Sequence, residues 1–362
     1  MGFTLGIIGL PNVGKSTVFN ALTKLHVPAE NFPFCTVRPN VGMVSIKDSR
    51  LNELSKLIDA VETIPTTIEF IDIAGLVRGA SKGAGLGNQF LSHIQEVNGL
   101  AQIIRAFIDQ NVSHIEGEIC PQKDINIINI ELILKDLETI EKRINKITPY
   151  LKTKDKIYKE EIAVLNKLKT HLDSENPVRG LDLDEKEKEF VKTYGLLTAK
   201  PIIYVANINE NTPDELIGQV KLKGLKEGLE VIILNAKLEV ELLEDFDEDE
   251  AQRFREELGI QESGLQKLAQ SGYKALNLIT FFTVANRKLR AWTIEKNTLA
   301  SKAAGKIHTD MEKGFICAEV IPYQKLKEIG SWTKAKEMGE IKHEGREYCV
   351  CDGDVITFKF NP

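Results

Sequence analysis

Residues 9–17 read Gly-Leu-Pro-Asn-Val-Gly-Lys-Ser-Thr and match the phosphate-loop pattern G-x-x-x-x-G-K-[ST] at every fixed position. The apolar run Phe3–Ile8 precedes them, and the helical pattern Val18-Phe19-Asn20-Ala21-Leu22 follows. That order matters, because such a loop works only between the end of a strand and the start of a helix. There, backbone N–H groups and the positive helix end converge on nucleotide phosphates. Lys15 then places its ammonium on the phosphate oxygens and Ser16 offers its hydroxyl to Mg²⁺. Asn12, Val13, Gly14 and Thr17 complete the cradle. The stretch predicts a nucleoside triphosphate site on an α/β fold.

The pattern continues outward. Apolar β-type runs recur at Leu5–Gly9, Val41–Ile46, Thr67–Ile73, Ile103–Ile108, Pro201–Asn207 and Val231–Asn235. Helical patterns such as Ser16–Leu25, Arg50–Leu57 and Gly87–Asn98 separate most of them. This alternation predicts a parallel sheet with crossover helices, and a nucleotide outside the carboxyl ends of its strands. It breaks between about Ser113 and Lys200. There Ile125, Ile128, Leu132, Ile140 and Ile147, then Ile157, Ile162, Leu165, Leu168 and Leu172, recur among Glu and Lys. That spacing predicts two long amphipathic helices in an antiparallel hairpin. From Leu278 short β-type runs with turn punctuation follow, closing on Asp352-Gly353 and the alternating Val355–Phe360. The expected division is residues 1–112 and 201–276 for the nucleotide domain, 113–200 for the inserted helices and 277–362 for a small β-rich domain.

Composition narrows the class. The 362 residues exceed what one core usually holds, and no apolar run is long enough to span a bilayer. The start, Met1-Gly2-Phe3-Thr4, lacks a basic leader. Five scattered cysteines suit reduced thiols in the cytoplasm. The net charge of −6 is uneven, with 14 Lys/Arg against 11 Asp/Glu from Asn277 onward. A mildly basic C-terminal part on an acidic body is compatible with an RNA-bearing partner. The eight acids within Glu239–Glu250 are expected to be a solvated helix surface. His93, His308, Trp292 and Trp332 are read as packing, surface or interfacial residues.

A phosphate loop does not by itself separate ATPase, GTPase and kinase. Asp72-Ile73-Ala74-Gly75 follows the Thr67–Ile71 run and fits D-x-x-G, 57 residues beyond Lys15. Asp72 is expected to hold Mg²⁺ through a water, with the Gly75 N–H on the γ-phosphate. Between the two motifs lies Asn31-Phe-Pro-Phe-Cys-Thr36. Thr36 is placed to complete the Mg²⁺ shell only when a γ-phosphate is present. The glycine-rich stretch 75–87 reads as a second switch. Leu76 stands where small GTPases carry a glutamine that orients the attacking water. Leucine cannot polarise water, so slow intrinsic turnover is expected.

The base is read next. Asn207-Ile208-Asn209-Glu210 stands where guanine-specific proteins carry Asn-Lys-x-Asp. That aspartate accepts from guanine N1–H and the 2-amino group, neither of which adenine offers. Ile208 and Glu210 alter both discriminating positions, which favours adenine. Asn235-Ala236-Lys237 falls where a backbone loop covers the base.

Taken together, the phosphate loop, Asn31–Thr36, Asp72–Leu76 and Asn207–Glu210 resemble the Obg-like ATPase family, over essentially the whole chain. Asp124–Leu132 in the inserted helices, and Ile307–Phe315 and Asp352–Val355 near the end, are similar to family stretches. The resemblance implies a P-loop GTPase-like fold (TRAFAC class, Obg type) with an inserted helical coiled-coil hairpin and a C-terminal β-grasp TGS domain. It implies Mg²⁺-dependent hydrolysis of ATP in preference to GTP, and a potassium ion at Asn12. It also implies partners: ATP and ADP, and the ribosome, both large subunit and whole particle. A cytoplasmic monomer without membrane attachment is expected. Two readings stay open beside the ATPase switch: a GTPase, and a binding module whose ATP state sets its shape with little hydrolysis.

Overall fold

The computed structural model describes residues 2–24, 40–73, 86–152 and 156–361. Its first sheet has six strands: β1 (Thr4–Ile8), β2 (Val41–Ser45), β4 (Thr67–Asp72), β5 (Gly99–Arg105), β6 (Ile202–Asn207) and β7 (Val231–Leu234), in the order β2-β4-β1-β5-β6-β7. All are parallel except β2, which runs antiparallel to β4. The parallel strands β4, β1, β5, β6 and β7 therefore end on one edge, at Asp72, Ile8, Arg105, Asn207 and Leu234. Central strands buried on both faces read as continuous apolar runs, and β5 and β6 are buried at every position. The fourth apolar run predicts a strand at Ile103–Ile108; β5 spans Gly99–Arg105 instead. Gly99, Ala101 and Gln102 weaken the apolar signal at its start, although the sheet buries them completely. At its end the chain leaves the ladder at Ala106, whose N–H bonds to Asn207 O.

The inserted segment forms helices Pro121–Ile147 and Lys156–Asp173, packed through Ile133, Ile140, Ile147, Leu165, Leu168 and Leu172. Lys169 to Glu141 at 2.7 Å and Arg143 to Glu161 at 2.6 Å pair the two antiparallel helices. A third helix, Glu185–Tyr194, carries a capping box between Asp184 and Glu187 and ends on the left-handed Gly195. No helix among the described residues is long and apolar enough to cross a membrane.

The long helix is fixed to the returning chain by a buried carboxylate. Asp136 accepts from Leu197 N–H at 2.7 Å, Thr198 N–H at 2.8 Å and the Thr198 hydroxyl at 2.6 Å. Burial pushes its pKa up from 3.8 to about 6 against those bonds. A pKa raised in the fold means that the fold binds this proton more tightly than the unfolded chain does. The contribution is full below 3.8 and is lost as pH rises through about 6. Lowering the pH from 7 to 5 is thus expected to stabilise the wild type by about 1 kcal/mol relative to Asp136→Asn. Denaturant melts of both proteins at the two pH values measure the difference; equal pH slopes would rule it out.

The second sheet contains β8 (Leu278–Ala285), β9 (Lys288–Glu295), β10 (Phe315–Pro322), β11 (Lys342–Glu344) and β12 (Asp354–Phe360). Its sixth strand is β3 (Glu62–Ile64), far away in sequence, which pairs in parallel with β9 through Glu62–Lys288, Thr63–Leu289 and Ile64–Arg290. Just before it, helix Ser49–Leu57 places Leu51 and Leu54 into a core with Phe282, Leu289, Ile321 and Val355. The segment between β2 and β4 is therefore built into the C-terminal sheet.

The acidic stretch divides at Asp247 into helices Ala236–Asp245 and Glu248–Glu257, the second opened by an Asp247–Glu250 capping box. One of its acids is not solvated. Glu239 is buried and accepts from the Arg255 guanidinium, the Ser263 hydroxyl and Gly264 N–H.

Candidate functional site

The phosphate loop sits between β1 and helix Lys15–Lys24, as its sequence requires. Val18 N–H bonds to Gly14 O at 3.0 Å, which starts the helix and leaves the preceding amides without intrahelical partners. Two positions need their residue types. Gly14 has φ +94°, and a Cβ there would lie 2.2 Å from Asn207 Nδ2. Asn12 has φ +63°, a left-handed conformation that asparagine tolerates better than most residues.

Lys15 and Asp72 face each other electrostatically across the loop. The Lys15 ammonium donates to Leu10 O at 2.8 Å. Burial holds its pKa below the ordinary value, and the Asp72 charge opposes that shift. Burial likewise raises the Asp72 carboxyl, against the pull of Lys15. One Asp72 oxygen, Oδ1, is buried without a hydrogen-bond partner. A buried carboxylate oxygen with unspent capacity at the end of β4, together with the exposed Ser16 of the phosphate loop, fits a divalent cation held largely by water and phosphate. Thr36, Gly75 and Leu76 lie outside the described residues.

The Asn207–Glu210 segment is joined to the phosphate loop by Asn207. Its Nδ2 donates to Val13 O at 3.0 Å and its Oδ1 accepts from Ala236 N–H at 3.2 Å. One buried amide thus links the phosphate loop to the segment after β7. Ile208 follows at the lysine position, its N–H on Leu234 O. Glu210 is exposed and accepts from Asn235 Nδ2 at 3.1 Å, while Asn235 Oδ1 caps the helix at Leu238. That bond engages one of the two Glu210 oxygens and ties the side chain to the segment after β7. Asn12, Val13, Gly14, Lys15, Ser16, Thr17, Asp72, Asn207, Ile208, Glu210 and Ala236 all lie around the carboxyl-end edge of the first sheet.

Sequence reading had missed a second layer. Arg105, at the end of β5, is 1% exposed. Asn12 Nδ2 donates to Ser113 O at 3.3 Å, and Arg105 donates to the same carbonyl at 3.2 Å. Just beyond, His114 Nδ1 accepts from Glu116 N–H, so Nε2 carries the proton and meets Asp124 Oδ2 at 2.9 Å. Burial raises the Asp124 carboxyl and the His114 bond opposes it. The available signal was an arginine inside the apolar run Ile103–Ile108, since a buried charge has to be answered by partners.

A family profile described as 50S ribosome-binding GTPase matches residues 4–167, and a YchF GTPase C-terminal profile, described as a protein of unknown function, matches residues 278–361. The chain is 48% identical to the ribosome-binding ATPase YchF of Bacillus subtilis and 46% identical to that of Escherichia coli O157:H7. Each alignment covers 100% of both proteins. Among solved structures, the Schizosaccharomyces pombe YchF GTPase superposes with a TM-score of 0.88 at 36% identity, covering 99% of this chain and 98% of that one. A GTP-binding protein of Pyrococcus horikoshii shares the fold, with a TM-score of 0.64 at 20% identity.

Proposed function

The chain belongs to the YchF family, P-loop proteins of the GTPase fold that hydrolyse nucleotides, and on that premise we propose a ribosome-associated ATPase switch. In this reading it binds ATP in preference to GTP and hydrolyses it slowly with Mg²⁺. The observation that carries the nucleotide choice is the base-reading loop, with Ile208 in the lysine position and Glu210 bonded to Asn235. Lys15 and the loop amides hold the phosphates, Ser16 and Thr36 bind Mg²⁺, and Asp72 holds its water shell. The metal supplies charge neutralisation at the β- and γ-oxygens. Gly75 N–H meets the γ-phosphate. Asn12, whose Nδ2 is engaged with Ser113 O, keeps Oδ1 for a potassium ion.

Leu76 supports slow turnover, because its own side chain carries no amide with which to orient the water. The ribosome is the proposed partner and stimulator, supported by the names of the bacterial relatives. The protein acts there as a cytoplasmic monomer, engaging the large subunit and the whole particle through its helical insertion (113–200) and TGS-like domain (277–362).

A GTPase is the second reading, favoured by the retained Asn207 and by the name of the fission-yeast relative. Calorimetric competition between ATP and GTP separates the two, and tenfold tighter GTP binding would overturn the ATPase reading. The paired substitution Ile208→Lys with Glu210→Asp is expected to move the GTP/ATP affinity ratio about 10²-fold toward GTP, because buried polar mismatches dominate selectivity. A ratio shifted less than threefold would mean that the base is read elsewhere.

A further inference from the structure

We propose that Arg105 is a positioning residue for nucleotide binding, holding the loop 106–113 so that it registers the phosphate loop against the base-reading loop. The inference rests on the nucleotide site described above.

The Arg105 guanidinium is spread over four main-chain carbonyls. Nε donates to Phe107 O at 3.3 Å, Nη1 to Ser113 O at 3.2 Å, and Nη2 to Asp109 O at 3.3 Å and Val112 O at 2.9 Å. The planar group also lies over the Phe107 ring, 4.5 Å from its centroid. A rigid fan of five donors can serve several carbonyls around one loop. Residues 106–113 form no helix or strand, so these bonds and the neighbouring charges of Asp109 and Asp124 set their path.

The same loop then meets three residues of the candidate site. Ser113 O accepts from Asn12 as well as from Arg105. Ile108 O accepts from Asn209 Nδ2 at 2.9 Å. Asn207 O accepts from Ala106 N–H at 2.9 Å and Phe107 N–H at 3.1 Å, beside the in-register pair Arg105–Asn207 of β5 and β6. The phosphate loop, through Asn12, and the base loop, through Asn207 and Asn209, thus rest on one segment that a single buried cation shapes. A buried positive charge committed to carbonyls, with no ion pair to a carboxylate among the described residues, is a costly way to fold a surface loop. It is intelligible where the loop's carbonyls serve as fixed acceptors for site residues.

Arg105→Lys in the full chain keeps the charge but concentrates its donors at one point. With the variant folded by circular dichroism, displacement of a fluorescent ADP should show Kd for ADP and ATP raised about tenfold or more. A purely structural role would leave binding by the folded variant intact. The expected effects of Arg105→Lys and Asn12→Gly overlap, the double variant adding less than threefold to the larger single effect. A Kd within twofold of wild type, or effects that multiply, would overturn the inference.

If Arg105→Lys does not fold, Asn209→Ala cuts the tether to Ile108 O at the partly exposed end, and a three- to tenfold rise in Kd is expected. An unchanged Kd there would overturn it as well. Failure of the wild type to bind either nucleotide would instead sink the reading of the phosphate loop.

Discussion

Replacing Lys15 with alanine is expected to lower kcat/KM for ATP by about 10³-fold, with most of the loss in nucleotide binding and transition-state charge. The expectation rests on a pre-positioned cation. Lys15 is already held at Leu10 O and drawn below its ordinary pKa by burial, so it awaits an anion stronger than a carbonyl. Phosphate oxygens provide that anion, and charge-assisted bonds are roughly twice as strong as neutral ones. The substitution also removes the counter-charge that restrains Asp72, whose carboxyl should then titrate at still higher pH. Steady-state rates with binding calorimetry test the first effect, and carboxyl-selective NMR titration tests the second. A kcat/KM within tenfold of wild type would mean that the phosphates bind elsewhere. Ribosome co-sedimentation of the variant in ATP and ADP then tests the switch: binding unchanged from wild type would detach the nucleotide from partner choice.

The second large effect is on folding. Residues 277–362 expressed alone are expected not to form a native sheet. Without residues 49–64, β9 loses its parallel partner β3, and the core loses Leu51 and Leu54 from beneath Phe282 and Leu289. Burying one such leucine contributes about 2 kcal/mol, and the aromatic and aliphatic surface left open adds a comparable loss. That approaches the roughly 5–10 kcal/mol holding a domain of this size together. Further links vanish, among them Arg50 with Asp352 at 2.7 Å, Tyr323 and Lys327 with Glu53, Lys288 with Glu62, and Arg287 with Asp59. The isolated fragment should show collapsed amide dispersion by NMR and no cooperative melt, and adding residues 46–66 through a linker should restore both. A sharp melt of the fragment alone would exclude the prediction.

Much of the nucleotide domain was legible because its signals are local. The phosphate loop lies between β1 and its helix, as strand, loop and helix propensities require within a few residues. The hairpin helices were legible from apolar periodicity, since Ile140, Leu165 and Leu168 lie in the interface that their spacing implied. β2 was expected in a parallel sheet and is antiparallel, because the hydrophobic content of a strand carries no direction. Cys349 and Cys351 are exposed and lie outside β12, because Asp352-Gly353 turns the chain before that ladder begins, although Cys349 makes a single bridge to Leu299. Glu239 looked like one more surface acid among eight, and only Arg255, Ser263 and Gly264 closing around it reveal a buried joint.

The sequence by itself determined that a strand, a phosphate loop and a helix follow one another, with Leu76, Ile208 and Glu210 in place of the residues a guanine-reading enzyme carries. Those are properties of neighbouring residues and of atoms that are present or missing. Tertiary structure alone decided that Arg105 shapes the loop on which Asn12 and Asn209 rest, and that residues 49–64 complete the C-terminal sheet. Both arise from pairing over long stretches of chain, 101 residues between Asn12 and Ser113 and more than 200 between β3 and β9. Hydrogen bonds and strand ladders at such separations depend on which surfaces the packed core brings together, and no local pattern of residues encodes that.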